Sequence, residues 1–334
     1  MKYLIVSVLS MMIFVTSCGQ NSRAIRKKSK IKNKKPAVSV SVPNFNADSA
    51  YKFVDRQVAF GPRVPGTPAH AACATWIINK LKSYTRHVIV QPFSARTYDH
   101  VLRKGENIIA SFSPEKTKRV LLMAHWDSRP FADHDKDKSK WRTPIDAAND
   151  GASGVGVLIE MARQFHLHNP QIGVDIVLFD LEDWGAPNDI RNQGKETDWA
   201  LGAQYWAKHS HTPGYSANFG ILLDMVGAKD ATFLKEDYSL QYARYYVKQI
   251  WSTAAGLGYD NYFPNRNGFP IDDDHYFVNK IAGIPSVDII QLDPNSSNGT
   301  FWEYWHTTGD TMDKIDKNTL KAVGQVVLTV IYGE

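Results

Sequence analysis

The alternation of short apolar segments with longer amphipathic segments is the feature that most constrains how this chain folds. The segments VLLMA, VDIVLF, GILL and SVDII are mostly apolar, as expected of strands buried on both faces of a sheet. Between them lie segments with apolar residues at helical spacing, such as residues 151–168 and 317–333. This order predicts an α/β fold with one mostly parallel sheet covered by helices on both faces.

Two further helices are predicted from local signals. Thr67 followed by Pro68 is typical of a helix start, and this helix is expected to end near Tyr84. A single long helix is predicted over residues 238–259.

The first 18 residues, MKYLIVSVLSMMIFVTSC, are typical of a bacterial secretory signal. Lys2 is followed by an uncharged apolar run to Val15, which is shorter than the roughly 20 residues that a membrane-spanning helix needs. The small residues before Cys18 resemble the lipoprotein box, in which the cysteine is lipidated and becomes the new N-terminus. We therefore expect a periplasmic protein anchored to a membrane, the outer one, through Cys18, with a plain signal peptide as the alternative.

Residues 19–43 are predicted to be a basic, disordered tether, and residues 44–334 a single catalytic domain. The first 35 residues hold nine Lys and Arg and no acid. Since the whole chain has a net charge of +5, residues 36–334 have a net charge of −4. The basic character therefore belongs to the N-terminal segment. The domain itself has no basic excess, which argues against a nucleic-acid partner.

Polar residues with metal-binding or acid–base chemistry follow nearly every predicted buried strand. Ligand sites of open α/β sheets gather beyond the carboxyl ends of the strands. The residues predicted to meet there are His125, Asp127, Asp150, Glu182, Asp183, Asp224, Asp273, Trp305 and His306.

The types of these residues indicate zinc. Zinc binds imidazole nitrogen and carboxylate oxygen, and a catalytic zinc has three protein ligands. The candidate ligands are His125, Asp150, Asp183, Asp224 and His306. Glu182 is adjacent to a candidate ligand and suits the role of an unligated general base next to a Lewis acid.

The order of the motifs HWD, NDGASG, ED, LLDMVGA, DDH and WHTTGDTMD resembles the zinc peptidase family M28, which contains bacterial aminopeptidases and glutaminyl cyclases. The resemblance spans roughly residues 45–334. It implies a three-layer α/β/α sandwich with a twisted, mixed, mostly parallel sheet. It also implies that Asp150, Asp183 and His306 bind zinc and that Glu182 is the general acid/base.

The glutaminyl cyclases are the branch of this family that the chain resembles more closely. Asp273 stands where aminopeptidases typically have Ser and matches an acid chain of Glu182, Asp224 and Asp273 in the cyclases. The residues expected to contact substrate in this branch are Trp305, Phe301, Ile271 and, more loosely, Trp184.

The reaction implied is the conversion of an N-terminal Gln of a peptide or protein to pyroglutamate with release of ammonia, the γ-carbonyl being polarised by zinc. In the alternative, a dinuclear aminopeptidase, His125 and Asp224 would bind a second zinc ion. Asp183 replaces the Glu that is usual at this ligand position, and Asp288 occupies the position at which animal cyclases have His. A site with one zinc ion and a site with two therefore both stay open. A monomer is expected, and a non-catalytic receptor of this fold is disfavoured because every ligand is present.

Overall fold

The structure, a computed structural model, describes residues 41–334. The predicted signal peptide and nearly all of the predicted tether lie outside these residues and stay predictions. The α-helices are α1 (Ala47–Val58), α2 (Pro68–Lys82), α3 (Ala152–Leu167), α4 (Leu201–Lys208), α5 (Asp237–Tyr242), α6 (Arg244–Gly256), α7 (Asp274–Phe277) and α8 (Lys317–Gly333). The strands are β1 (Val88–Arg96), β2 (Leu102–Phe112), β3 (Arg119–His125), β4 (Gly173–Phe179), β5 (Phe219–Asp224) and β6 (Ser286–Ile290). Within residues 41–334, no helix combines the length and the apolar character needed to cross a bilayer.

The six strands form one mixed sheet in the order β1-β2-β4-β3-β5-β6. Strands β4, β3, β5 and β6 are parallel, whereas β2 is antiparallel to both of its neighbours. In the parallel register His125 pairs with Phe179, and Asp224 pairs with Ile290. The carboxyl ends of the central strands therefore meet at one edge of the sheet.

Helices cover both faces of the sheet, which confirms the predicted three-layer α/β/α sandwich. Side chains alternate along β3, so that Leu122 and Ala124 pack with α1, α2, α3, α6 and α8. Leu121 and Met123 face the opposite layer, where α4 and α7 contribute Trp206 and other apolar side chains. Burial on both faces explains why the strand segments are almost continuously apolar.

The predicted start of α2 is confirmed, but the predicted helix over residues 238–259 is wrong. Thr67 is the N-cap of α2, and its side chain accepts a hydrogen bond from the amide of His70. The chain breaks at Ala243, with φ −134° and ψ 29°, into α5 and α6. The two parts have different partners: Ser239 in α5 accepts a hydrogen bond from the Asp288 amide of β6, whereas α6 packs on α8.

Replacing Gly154 with Ala is expected to destabilise the fold where α3 meets the sheet. A Cβ at Gly154 would overlap the carbonyl oxygen of Leu223 in β5, so helix and strand must separate, at a cost of about 1–3 kcal/mol or more. Urea unfolding measures the loss. Gly256→Ala is the control because, within residues 41–334, no atom beyond its own helix turn and chain neighbours lies within 4 Å of a Cβ there. A loss of similar size in both variants would contradict the packing argument.

Candidate metal centre and adjoining cavity

Five candidate ligands converge at the carboxyl edge of the sheet. His125 and Asp224 are the last residues of β3 and β5. Asp150 precedes α3, Asp183 follows β4, and His306 lies in the loop after β6. All five are buried, so the structure brings together the residues that the sequence placed at the strand ends.

Asp150 lies between the two histidines. Its Oδ1 is 3.0 Å from His125 Nε2 and its Oδ2 is 3.5 Å from His306 Nε2. His306 Nε2 is also 3.1 Å from Asp183 Oδ1, and His125 Nε2 is 3.3 Å from Asp224 Oδ1. The result is two triads of donor atoms that share Asp150.

The triad of Asp150, Asp183 and His306 fits zinc. One carboxylate oxygen of Asp150 and one of Asp183 are buried and have no hydrogen-bond partner among the described residues. Burial and repulsion from Arg129 lower the pKa of His306 to about 3, so the imidazole is neutral. Burial and repulsion from Asp150 raise the pKa of Asp183 well above its ordinary value. A cation is the group that such a donor set lacks.

Two further carboxylates hold the backbone that carries the ligands. Asp127 accepts hydrogen bonds from the amides of Glu182 and Asp183, at 3.2 and 3.3 Å. Asp310 accepts from the amides of Asn149 and Asp150, at 2.8 and 3.0 Å. Asp127 was among the residues predicted to meet at this edge, whereas Asp310 was not, since nothing in the spacing of GDT relates it to the turn before α3.

Strained backbone marks the same region. Leu181, Met225 and His306 have positive φ angles of 56°, 48° and 54°. Non-glycine residues with positive φ are uncommon, and such strain is characteristic of functional sites. Each of the three is a candidate ligand or directly adjoins Glu182 or Asp224.

Glu182 lies beside the triad in the wall of a cavity of about 460 Å³. Burial, with repulsion from Asp183, Asp273 and Asp274, raises the pKa of its carboxyl well above the ordinary value. Burial and repulsion from Asp273 likewise raise the pKa of Asp224 to about 7. The three predicted acids Glu182, Asp224 and Asp273 therefore form one electrostatic group.

The far wall of the cavity is apolar. Ile271, Phe301 and Trp305 line it, as the sequence predicted. The Trp305 ring stacks on His306, with centroids 3.8 Å apart, and contacts Phe301 at 4.4 Å. The three apolar side chains thus share one space with four of the candidate ligands, Asp150, Asp183, Asp224 and His306.

Comparison with known proteins agrees with this arrangement. The model of the family "Peptidase family M28" matches residues 107–331. The chain belongs to peptidase family M28. This is the family that the order of the motifs in the sequence suggested.

Three solved structures of similar proteins cover almost the whole domain. A glutaminyl cyclase of Bacteroides thetaiotaomicron bound to N-acetylhistamine is 49% identical, with a TM-score of 0.86, over 88% of this chain and 100% of that one. A glutaminyl cyclase of Tannerella forsythia is 52% identical, with a TM-score of 0.85, over 87% and 100%. A Zn-dependent exopeptidase of Parabacteroides distasonis is 53% identical, with a TM-score of 0.86, over 88% and 100%.

Trp184 is the predicted substrate contact that the structure of this M28 domain places elsewhere. Its ring packs with Phe93 and Leu181 and lies 3.8 Å below the Arg103 guanidinium, outside the cavity lining. Trp199 lines the cavity instead, with its ring parallel to that of His306. A tryptophan directly after the acidic pair looked like a pocket residue, but the left-handed turn at Leu181 directs it into the core.

The acidic run DLED has two separate roles. Asp180 is fully buried and bonds to His70 Nε2 at 3.0 Å and to the Glu106 amide at 2.8 Å. It therefore joins α2 and β2 to the end of β4. Only Glu182 and Asp183 reach the cavity.

Zinc is expected to raise the melting temperature of the chelator-treated protein, because a ligand that binds only the folded state stabilises it by about 2.7 kcal/mol at 100 times its Kd. His306→Ala should abolish this rise. His70→Ala is the matched control, since it removes another buried His–Asp pair and should lower stability while keeping the response to zinc. Differential scanning fluorimetry with and without zinc measures both, and a preserved response in H306A would remove His306 from the ligand set.

Proposed function

We propose that this M28 protein is a glutaminyl-peptide cyclotransferase. It converts the N-terminal Gln of peptides and proteins to pyroglutamate and releases ammonia. The observation that carries the proposal is the position of Glu182, which lines the same cavity as a zinc-type triad and a group of apolar side chains and whose carboxyl has a raised pKa. The similarity to glutaminyl cyclases at about half of all positions supports it.

Asp150, Asp183 and His306 would hold the zinc ion, which supplies a Lewis acid for the γ-carbonyl oxygen of the substrate when it is bound. We propose one ion, at this triad. His125 then contacts Asp150 and Asp224 directly, as it does in the structure.

Glu182 moves the protons. It accepts a proton from the α-amine, which attacks the γ-carbon, and donates a proton to the departing ammonia. A carboxyl with an ordinary pKa would be a weak proton donor at neutral pH. Burial and repulsion from Asp183, Asp273 and Asp274 raise the pKa of Glu182, because neighbouring carboxylates favour the protonated form.

The apolar wall orients the substrate. Ile271, Phe301 and Trp305 enclose the methylene groups of the Gln side chain and keep water from the reacting carbon. The attacking amine belongs to the same residue as the carbonyl. Holding the two in contact range therefore replaces a bimolecular encounter with an intramolecular one.

A dinuclear zinc aminopeptidase is the second candidate function. The triad of His125, Asp150 and Asp224 is buried and complete, and a similar structure is described as a Zn-dependent exopeptidase. In this case Glu182 would take a proton from water, and a peptide of any sequence would lose its first residue.

Two peptides, one beginning with Gln and one with Leu, distinguish these functions. The purified domain is expected to remove 17 Da, the mass of ammonia, from the Gln peptide and to leave the Leu peptide intact, as mass spectrometry measures. Elemental analysis of the same sample should find one zinc per chain. Cleavage of the N-terminal Leu, together with a measured content of two zinc ions per chain, would establish the aminopeptidase.

Glu182→Gln is expected to lower kcat by about 10²- to 10⁴-fold, since it removes the group that accepts and donates the proton. Zinc content should not change. Glu160→Gln is the control: Glu160 is fully buried, belongs to α3 and pairs with Arg163. Glu182 has no catalytic role if E182Q and E160Q keep equal turnover.

We further propose that the protein acts in the periplasm from a lipid anchor at Cys18, on exported peptides with an N-terminal Gln. The support is the sequence of residues 1–18. Cys18→Ser should abolish incorporation of labelled palmitate and move the protein from the membrane to the periplasmic fraction. An unchanged membrane fraction would contradict lipid anchoring.

A further inference from the structure

A buried ion pair, Arg129–Asp133, lies directly beside the proposed zinc ligands and lines the same cavity. Both side chains are almost fully buried, at 1% and 2% exposure. Arg129 donates from Nε and Nη2 to the two oxygens of Asp133, each at 2.7 Å. Two charges taken out of water cost several kcal/mol each after relaxation, so a buried pair is weak support for a role in stability alone.

The third nitrogen of Arg129 reaches a zinc ligand. Nη1 donates to the carbonyl oxygen of Asp183 at 3.1 Å and lies 3.4 Å from its Oδ1. The guanidinium also lies 4.7 Å from the Trp199 ring of the cavity wall. Arg129 therefore fixes both the backbone and the carboxylate of Asp183.

Asp133 faces the other zinc ligand. Its Oδ1 is 3.7 Å from Nδ1 of His306, the ring nitrogen that points away from Asp150 and Asp183. A negative charge at this position favours the proton on Nδ1 and leaves Nε2 free to bind metal. The contact is electrostatic, since Nδ1 has no hydrogen-bond partner within residues 41–334, but a carboxylate facing the second nitrogen is the usual arrangement of metal-binding histidines.

The same pair supports the surrounding backbone. Asp133 Oδ2 accepts the amide of Asn188 at 2.8 Å, at the start of the segment that brings Arg191 and Lys195 to the cavity. The next residue, His134, donates its amide to the carbonyl of His306 at 3.0 Å. The pair is thus connected to two zinc ligands and to the rim of the cavity.

We propose that Arg129 and Asp133 are positioning residues that set the zinc affinity, Arg129 by orienting Asp183 and Asp133 by orienting His306. The inference rests on the zinc site of the proposed function. It assigns neither residue a contact with the reacting atoms. It predicts that the pair acts on metal binding separately from its contribution to folding.

The chain contains a matched control pair. Arg119 donates from Nε and Nη2 to the two oxygens of Asp175, each at 2.7 Å, and the pair is likewise buried. It lies at the opposite end of β3, six residues or about 20 Å from His125. Loss of this pair tests what breaking a buried Arg–Asp pair does to the fold alone.

The experiment compares Asp133→Asn and Arg129→Lys with Asp175→Asn and Arg119→Lys in the full domain. Lysine keeps the positive charge but cannot donate to Asp133 and Asp183 at the same time from three nitrogens, as the guanidinium does. Zinc Kd is measured by competition with a chromophoric chelator, and folding by circular dichroism and by the melting temperature of the zinc-free protein. D133N and R129K are two independent variants of one pair. If only one of them folds, its zinc Kd is sufficient to test the proposal.

We expect D133N and R129K to weaken zinc binding by about 10- to 100-fold. The control variants should lose melting temperature but keep the zinc Kd within about twofold, because sites this far apart act independently. Equal zinc Kd in D133N, R129K and wild type would overturn the inference and leave the pair a structural one. Failure of the wild type to bind zinc would instead refute the zinc site itself.

Discussion

The structure depends on burying several carboxylates at one edge of a parallel sheet. Carboxylates this close repel one another and lose solvation, so each needs a compensating partner. Asp127 and Asp310 obtain it from backbone amides of the ligand-bearing turns, and Asp133 from Arg129. Among residues 41–334, Asp150 and Asp183 each retain an oxygen that has no hydrogen-bond partner. The compensation is therefore incomplete where a cation fits, and the neighbouring Asp273, Asp274 and Asp288 also retain unpartnered oxygens.

Asp180 and Glu182 show the contrast between a compensated and an uncompensated carboxylate within one short segment. Asp180, bonded to His70 and to the backbone of β2, joins elements of the fold. Glu182, two residues later, has no comparable partner within residues 41–334 and retains a raised pKa. The left-handed turn at Leu181 between them sends one carboxylate inward and the other to the cavity.

The sequence was sufficient for the fold and for the convergence of the candidate ligands, because strand periodicity and strand order determine which residues meet at the carboxyl edge. It was insufficient where long-range packing decides. Trp184 was predicted to line the pocket because it adjoins the acidic pair. That prediction failed because adjacency in sequence does not determine the direction of a side chain after a turn. The break at Ala243 depends on α5 and α6 having different partners, and Asp133 and Asp310 act on residues more than 100 positions away.

The same edge can support two reactions, and what separates them is the nucleophile. Hydrolysis needs room for a water molecule and an extended peptide across the site. Cyclisation needs neither, because the amine and the γ-carbonyl belong to one residue that only has to be folded back on itself. A cavity with Ile271, Phe301 and Trp305 opposite Glu182 provides an apolar end for a short side chain. It leaves the rest of the peptide to exit past the polar rim at Arg191 and Lys195. This geometry favours the reaction in which the substrate supplies its own nucleophile.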